Sequence, residues 1–164
     1  MDMSLVSVRF QNGLIGFGGM RLILVVLVLS TASAAEKKYA LKDLPAAVQK
    51  GIEGELKGGE IKNISKETEH GVTQYEVETM LNGKHRDFDV DLKGAVLVVE
   101  EEISMDAVPA AAKAAILKKV ADGKIGMVET VTRGGTTAYE AAYTAKGGKK
   151  HTVLVKADGT PTKD

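Results

Sequence analysis

Three aspartates at alternate positions are the residues of this chain whose type and spacing come closest to a chemical site. Asp87, Asp89 and Asp91 alternate with apolar residues, and closely spaced carboxylates are typical calcium ligands. An EF-hand loop that began at the first aspartate would require Gly at position 92 and Glu at position 98, where this chain has Leu92 and Val98. The alternation instead predicts a β-strand with a solvated acidic face, and the three aspartates remain the candidate metal ligands.

Other reactive side chains lack the spacing that catalysis or metal binding requires. His70, His85 and His151 have no partner at ligand spacing, which favours exposed positions. The chain contains no Cys, and the serines after residue 34, Ser65 and Ser104, do not lie in a nucleophile elbow. We therefore expect a protein that is not an enzyme and that uses no cofactor.

The overall composition argues against nucleic acid as a partner. Lys plus Arg number 22, as do Asp plus Glu, whereas nucleic-acid-binding domains are usually basic. Aromatic residues make up 4% of the chain and Trp is absent, which leaves little surface for stacking on bases or sugars. The 164 residues provide room for one ordinary domain or two small repeats.

The N-terminal region predicts export. Arg21 precedes the apolar run 22–29, and a small-residue cleavage triplet follows at 32–34. The apolar stretch is shorter than the roughly 20 residues that a transmembrane helix needs. We therefore predict a signal peptide over residues 1–34, with residues 1–19 hypothesised to be a mis-assigned upstream extension. The mature protein is expected in the periplasm or outside the cell, without stable membrane insertion.

An internal duplication organises the rest of the chain. A Pro-Ala-Ala phrase occurs at residues 45–47 and again, 64 positions later, at residues 109–111. At this offset, 12 of 40 aligned positions are identical. The identities fall on turn glycines and inward positions, where backbone geometry and packing dictate the residue type. We therefore predict two tandem repeats, over residues 35–102 and 103–164.

Each repeat is predicted to contain one helix followed by about four antiparallel strands. Apolar residues recur every four positions from Leu44 and from Val108, as on one stripe of an amphipathic helix. Asp43 is expected to cap the first helix. Asn82-Gly83 predicts a tight hairpin turn between two strands of alternating polarity.

Charged residues at outward strand positions are expected to lie on the surface. Tyr75, Tyr139 and Tyr143 fall on the apolar, inward phase of their strands, which predicts core positions. Glu76 and Glu140 fall on the outward phase. The three glutamates at 100–102 are interpreted as a solvated strand end.

The repeating unit resembles the PepSY-type repeat, in particular PepSY-like proteins grouped with the β-lactamase-inhibitor-protein fold. The resemblance covers residues 35–164 as a tandem pair, and its second copy departs from the pattern at residues 153–156, which replace the Asp-rich strand. It implies an α+β fold with helices packed on one face of an antiparallel sheet, and binding or inhibition of an exported enzyme. It maps no catalytic residues. The residues that carry it are Leu44-Pro45-Ala46-Ala47-Val48, Ile52, Tyr75-Glu76-Val77, Asn82-Gly83-Lys84 and Val90-Asp91-Leu92-Lys93-Gly94.

The two repeats carry net charges of opposite sign. Residues 43–102 contain 14 acidic and 7 basic side chains, whereas residues 103–164 contain 6 acidic and 10 basic ones. This difference steers different partners to the two ends, pairs chains head to tail, or helps the repeats to face each other within one chain. We favour the last, structural interpretation.

The function expected from these observations is non-catalytic binding of an exported protein, including inhibition of a secreted or periplasmic enzyme. One alternative is an envelope protein that binds cations or small ligands on the acidic sheet face of the first repeat. Another is a structural or self-associating module, because the sequence leaves the oligomeric state open.

Overall fold

The computed structural model describes residues 37–69 and 71–163, in which two α-helices and seven strands are present. Two short 3-10 turns, Leu41–Asp43 and Met105–Ala107, lead into the helices. The predicted signal peptide lies outside the described residues. In chain order the elements are α1 (Ala46–Glu55), β1 (Glu60–Glu69), β2 (Val72–Leu81), β3 (Lys84–Asp91), β4 (Val96–Glu102), α2 (Ala110–Val120), β5 (Lys124–Arg133), β6 (Thr136–Thr144) and β7 (Lys150–Lys156).

All seven strands form one antiparallel sheet in which each strand pairs with the next along the chain. α1 packs over β3 and β4, and α2 packs over β6 and β7. Both helices cover the same face, because the register carries Phe88 under α1 to Val99 on β4, and Val99 to Thr132 on β5. The predicted α+β class is therefore confirmed.

The apolar helical stripes predicted from the sequence form the core. Val48 and Ile52 of α1 are fully buried, as are Ala112 and Ile116 of α2. Burying an aliphatic side chain of this size contributes about 1.5–3 kcal/mol, so these stripes hold both helices to the sheet. Under α1 the core consists of Leu44, Val48, Ile52, Ile64, Tyr75, Val77, Phe88 and Val90. Under α2 it consists of Val108, Ala112, Ile116, Val120, Val128, Ala141, Tyr143 and Val155.

The start of α1 differs from the sequence prediction. Asp43 does not cap the helix, since the cap position is Pro45, which makes no side-chain capping hydrogen bond. A residue before proline is disfavoured in the helical conformation, so Leu44 is extended (φ −85°, ψ 160°) and the helix begins only after the proline. The predicted cap is wrong for this reason. Gln49 instead donates its side-chain amide to the carbonyl oxygen of Leu44 at 2.7 Å.

Glycines allow each helix to rest directly on a turn of the sheet. A Cβ atom on Gly94 would lie 2.2 Å from the carbonyl oxygen of Ala47 in α1, and a Cβ atom on Gly159 would lie 2.7 Å from that of Ala111 in α2. Both glycines also have positive φ, 87° and 82°, which other residues rarely adopt. The two helix-to-turn contacts are therefore built in the same way.

Backbone hydrogen bonds also recur at the offset of 64. Tyr39 donates its N–H to the carbonyl oxygen of Ile64 at 2.9 Å, and Ile103 donates to that of Val128 at 2.9 Å. Four strands follow α1, but three follow α2, after which Pro161 forms only an isolated bridge to β7.

A buried arginine ties α1 to the sheet. Arg86 on β3 has a side chain that is 3% exposed, and its Nε donates to Glu101 at 2.9 Å. Its Nη1 donates to the main-chain oxygen of Glu55 at 2.9 Å, and its Nη2 pairs with the carboxylate of the same residue. Burial alone would raise the pKa of Glu55, but hydrogen bonds and charges from Arg86 and Lys57 hold it below its usual value.

Candidate functional site

The sheet face opposite the helices carries ten carboxylates, and we call it the acidic face. Alternation along each strand turns these side chains to one side, and the strand register sets them beside one another. Eight of the ten come from residues 43–102, so the negative charge of that segment is concentrated here. They are Glu67 and Glu69 on β1, Glu76 and Glu78 on β2, Asp87 and Asp89 on β3, Glu100 and Glu102 on β4, Glu129 on β5 and Glu140 on β6.

Several of these carboxylates are buried, which corrects the sequence-based expectation of a solvated surface. Asp89 is 1% exposed, and Glu100, Glu129 and Glu140 are each 4% exposed. Alternating polarity separates the two faces of a sheet but does not report how deeply each face is covered. Because a desolvated carboxylate is costly unless donors or cations compensate it, the partners of each one become informative.

Neutral side chains donate hydrogen bonds to the carboxylates at the β1–β2 side of the acidic face. Gln74, which is 2% exposed, donates its amide to Glu67 at 2.9 Å and to Asp89 at 2.8 Å. Asn63 donates to Glu78 at 3.0 Å. These contacts compensate part of the negative charge without a ligand.

Asp87 lies nearer the centre of the acidic face. Its Oδ1 accepts the N–H of Thr79 at 2.8 Å, which satisfies a strand amide where the β2–β3 ladder is interrupted. Burial raises the pKa of Asp87, although the Thr79 N–H and the charge of His85 lower it in part; Glu78 adds to the rise.

The three predicted ligands share one strand but have different surroundings. Asp91 uses its Oδ1 to accept the N–H groups of Lys93 and Ala95, both at 2.8 Å, and so closes the turn after β3. Asp89 instead lies with Glu67 and Glu69, and ligand atoms of these three residues fall within 4.8 Å of one another. Within residues 37–69 and 71–163, this is the group whose spacing suits a metal ion.

Glu129, like Glu67 and Glu69, is a carboxylate of the acidic face for which sequence reasoning gave no signal. Its register partners are Glu102 on β4 and Glu140 on β6. No hydrogen bond or ion pair to Glu129 occurs among the described residues. Burial, followed by the charges of Asp87 and Glu102, raises the pKa of Glu129 to about 7. Only the pairing of β4 with β5, which joins the two predicted repeats, creates this cluster.

A shallow hollow and several apolar side chains complete the acidic face. Apolar positions adjoin it, since Val98 and Val131 are 1% and 4% exposed and Leu154 is opposite Glu140. The hollow is lined by Glu76, Asp87, Phe88, Asp89, Val98 and Glu100.

The histidines described by the structure do not form a site together. His85, the second residue of β3, is exposed on the acidic face. His151 lies on the helix-covered side, where its ring stacks on Tyr143 at 5.4 Å between centroids. The prediction that every histidine is exposed is therefore wrong for His151, which is partly buried. Tyr143 and Tyr75 lie in the core as predicted.

No helix among the described residues is long and apolar enough to span a membrane. No family model and no curated protein matches the sequence.

Several solved structures from Bacteroides have a similar fold. The fold is similar to that of a DUF2874 family protein from Bacteroides uniformis, with a TM-score of 0.59, 16% identity and coverage of 73% of this chain and 86% of that one. A BLIP-like protein from Bacteroides fragilis gives a TM-score of 0.53 at 19% identity, over 73% and 83% of the two chains. A protein from Bacteroides eggerthii described as a "putative periplasmic" protein gives 0.57 at 17% identity, over 73% and 86%. These similarities establish an α+β fold that is shared with BLIP-like proteins.

Proposed function

We propose that this protein is an exported, non-catalytic binding protein that recognises another exported protein through its acidic face. The observation that carries the proposal is the buried carboxylate of Glu129 among the acidic side chains of the sheet face that neither described helix covers. Desolvating like charges side by side is unfavourable, since each carboxylate disfavours the ionised form of its neighbours. A partner with a basic group would supply Glu129 with a counter-charge that the described residues do not provide.

Export is supported by the sequence pattern of residues 1–34 and by the periplasmic description of one structural neighbour. The duplication into units 35–102 and 103–164 is supported by the shared helix-to-turn contacts and by the hydrogen bonds that recur at the same offset. We further propose that the chain belongs among PepSY-like proteins, on the resemblance of these units.

Non-catalytic binding is supported by the chemistry of the acidic face. Its side chains are mainly carboxylates and aliphatic groups, and the described histidines lie on opposite sides of the sheet. Inhibition of an exported enzyme is the specific form of binding that we propose, since a partner segment held against the sheet would be withdrawn from substrate. The similarity to a BLIP-like structure supports this form by analogy of fold alone.

A pull-down from the exported-protein fraction tests the proposal. Leu154 lies on the acidic face, whereas Leu117 is 46% exposed on α2, so these two leucines provide matched sites. Leu154→Arg should abolish recovery of the captured protein by placing a cation where the partner's basic group binds, and Leu117→Arg should leave recovery unchanged. Equal recovery by both variants, with both shown to be folded by circular dichroism, would overturn the proposal.

Cation binding is a second candidate function, which the spacing of Glu67, Glu69 and Asp89 favours. Carboxylate oxygens are the ligands that calcium prefers. Calcium at millimolar concentration should then raise the melting temperature of the protein, and Asp89→Asn should abolish the increase. A melting temperature that does not respond to calcium removes this candidate.

A further inference from the structure

Glu129 has an environment that the fold itself does not require. In the first hairpin, the equivalent pairing sets Ser65 opposite Glu76, with the serine hydroxyl 3.5 Å from the carboxylate. In the second hairpin the same register sets Glu129 opposite Glu140. The first unit therefore folds with a hydroxyl donor at this position. The second unit instead carries Glu129, a 4% exposed carboxylate to which no described residue donates.

The neighbours of Glu129 make a cation the fitting ligand. The charges of Asp87 and Glu102 act on Glu129 from the two preceding strands. Asp87 also lines the shallow hollow of the acidic face, so a cation at this hollow would lie beside one of the carboxylates that act on Glu129. A cation placed there would be attracted by several charges in a poorly solvated site, where electrostatic interactions are stronger than in water.

The spacing of these carboxylates distinguishes a basic side chain from a metal ion. The metal-like group of the described residues consists of Glu67, Glu69 and Asp89, and Glu129 does not belong to it. Carboxylates on adjacent strands start from backbones about 4.8 Å apart. A guanidinium group is planar, carries five N–H donors and can bridge such separated acceptors. Its aliphatic stem would pack on apolar positions such as Val131 and Leu154.

We propose that Asp87, Glu102 and Glu129 form a receptor for an arginine side chain presented by the protein partner. This inference rests on the proposed function and names the chemical group of the partner that the acidic face recognises. The arginine approaches the acidic face beside Asp87 and donates to Glu129, a carboxylate to which no described residue donates. Removing this contact by substitution should weaken the binding of arginine at least about tenfold, as for other hydrogen bonds to charged groups.

Protonation of Glu129 should be coupled to arginine binding. The pKa of Glu129 is about 7 without a ligand, so the fraction of ionised Glu129 rises about tenfold between pH 6 and pH 8. Arginine affinity should increase by roughly the same factor over this range, because the charged form of Glu129 is the acceptor. The charges that act on Glu129 are those of Asp87 and Glu102. Other charged groups on the same face of its own and the neighbouring strands are His85 on β3, Glu100 on β4, Arg133 on β5, Glu140 on β6, and Lys150 and Lys156 on β7.

Titration of the purified, isotope-labelled protein with short peptides, followed by NMR, tests the inference. The probe is a Gly-Ser peptide with one central arginine, and matched peptides carry citrulline or lysine at that position. Glu129→Gln and Glu129→Ser are the test variants, the second of which reproduces the residue at position 65. Glu53→Gln, on the exposed surface of α1, is the control. Neither test variant is expected to unfold, because both remove an uncompensated charge.

The arginine peptide should shift resonances of β3 to β6 on the acidic face, with at least about tenfold weaker binding for citrulline and for both Glu129 variants. Binding by Glu53→Gln should match that of the unaltered protein. Equal binding of the citrulline or lysine peptide, or unchanged binding by Glu129→Gln, would overturn the arginine receptor. If the unaltered protein fails to bind the arginine peptide but still captures its partner in a Leu154-dependent manner, this inference fails and the proposed function stands. If the peptide binds as expected but no Leu154-dependent partner is captured, the proposed function fails instead.

Discussion

Removal of the Glu129 charge should stabilise the free protein in a pH-dependent manner. Most substitutions of buried residues destabilise a protein, so an increase in stability on removing the Glu129 charge is diagnostic. The folded protein raises the pKa of Glu129 from 4.5 to about 7. A carboxyl whose pKa is raised on folding binds protons more tightly in the folded state, so its contribution to stability is lost as pH rises from about 4.5 to about 7.

The magnitude follows from the size of the shift. A change of about 2.5 pKa units corresponds to about 3 kcal/mol of destabilisation once Glu129 is ionised at pH 8. By the same relation, Glu129 destabilises the folded protein by less than about 1 kcal/mol at pH 5, where its carboxyl group is protonated in the folded state. Glu129→Gln should therefore be more stable than the unaltered protein by about 3 kcal/mol at pH 8 and by less than about 1 kcal/mol at pH 5.

Urea unfolding at the two pH values, monitored by circular dichroism, measures these differences. Glu53→Gln is the control, since this residue is exposed on α1, and its effect should stay within about 0.5 kcal/mol at both pH values. Asp87, whose pKa is also raised, interacts with Glu129, so the midpoint of the pH dependence belongs to this pair rather than to Glu129 alone. A Glu129→Gln variant that is destabilised at pH 8, or that shows the same difference in stability at both pH values, would show that the charge of Glu129 does not destabilise the folded protein.

Two further predictions concern the packing of α1. Gly51→Ala should destabilise the protein by about 1–2 kcal/mol in urea unfolding, because the added Cβ would lie 2.3 Å from the carbonyl oxygen of Gly94. Gly54→Ala, in the same helix with no atom within 4 Å of the new Cβ, should stabilise it by about 0.5–1 kcal/mol, and a stabilising Gly51→Ala would contradict the close approach. Arg86→Ala should cost about 2 kcal/mol or more at pH 7, because it leaves the partly buried carboxylate of Glu55 without its main donor. Since the pKa of Glu55 is lowered, this cost should shrink as acid protonates that carboxylate; a cost that is constant down to pH 3 would contradict the ion pair.

The sequence predicted the parts of the fold that depend on periodicity. The stripes that begin at Leu44 and Val108 have the helical spacing of four and lie in the core. Asn82-Gly83 forms the hairpin turn between β2 and β3, with φ of 53° and 78° at these positions, because two consecutive residues with positive φ match the strand twist. Residue type and local spacing were sufficient to predict these elements.

The acidic face could not be predicted because it depends on contacts between distant strands. Asp87 and Asp89 are a strand pattern in the sequence, but the depth of their burial is set by neighbouring strands. The clustering of Glu129 with Glu102 requires β4 and β5 to pair across the α2 segment. No local pattern reports that pairing, so a glutamate in an ordinary strand gave no sign of its raised pKa.

The helix starts illustrate a competition between local rules. Asp43 is a favourable capping residue by type, yet the residue before Pro45 is disfavoured in the helical conformation, so the cap position moves to the proline. The backbone restriction was stronger than the side-chain preference.

Site-specific photo-crosslinking in cells that export the protein tests whether the acidic face is the binding surface. A photoreactive phenylalanine analogue at Leu154 would report contacts of the acidic face, and the same analogue at Leu117 would report those of the outer surface of α2. We expect one dominant adduct from position 154, in which the crosslinked partner peptide contains arginine, and no such adduct from position 117. An adduct of equal yield from both positions, or from position 117 alone, would contradict the assignment of the acidic face as the binding surface.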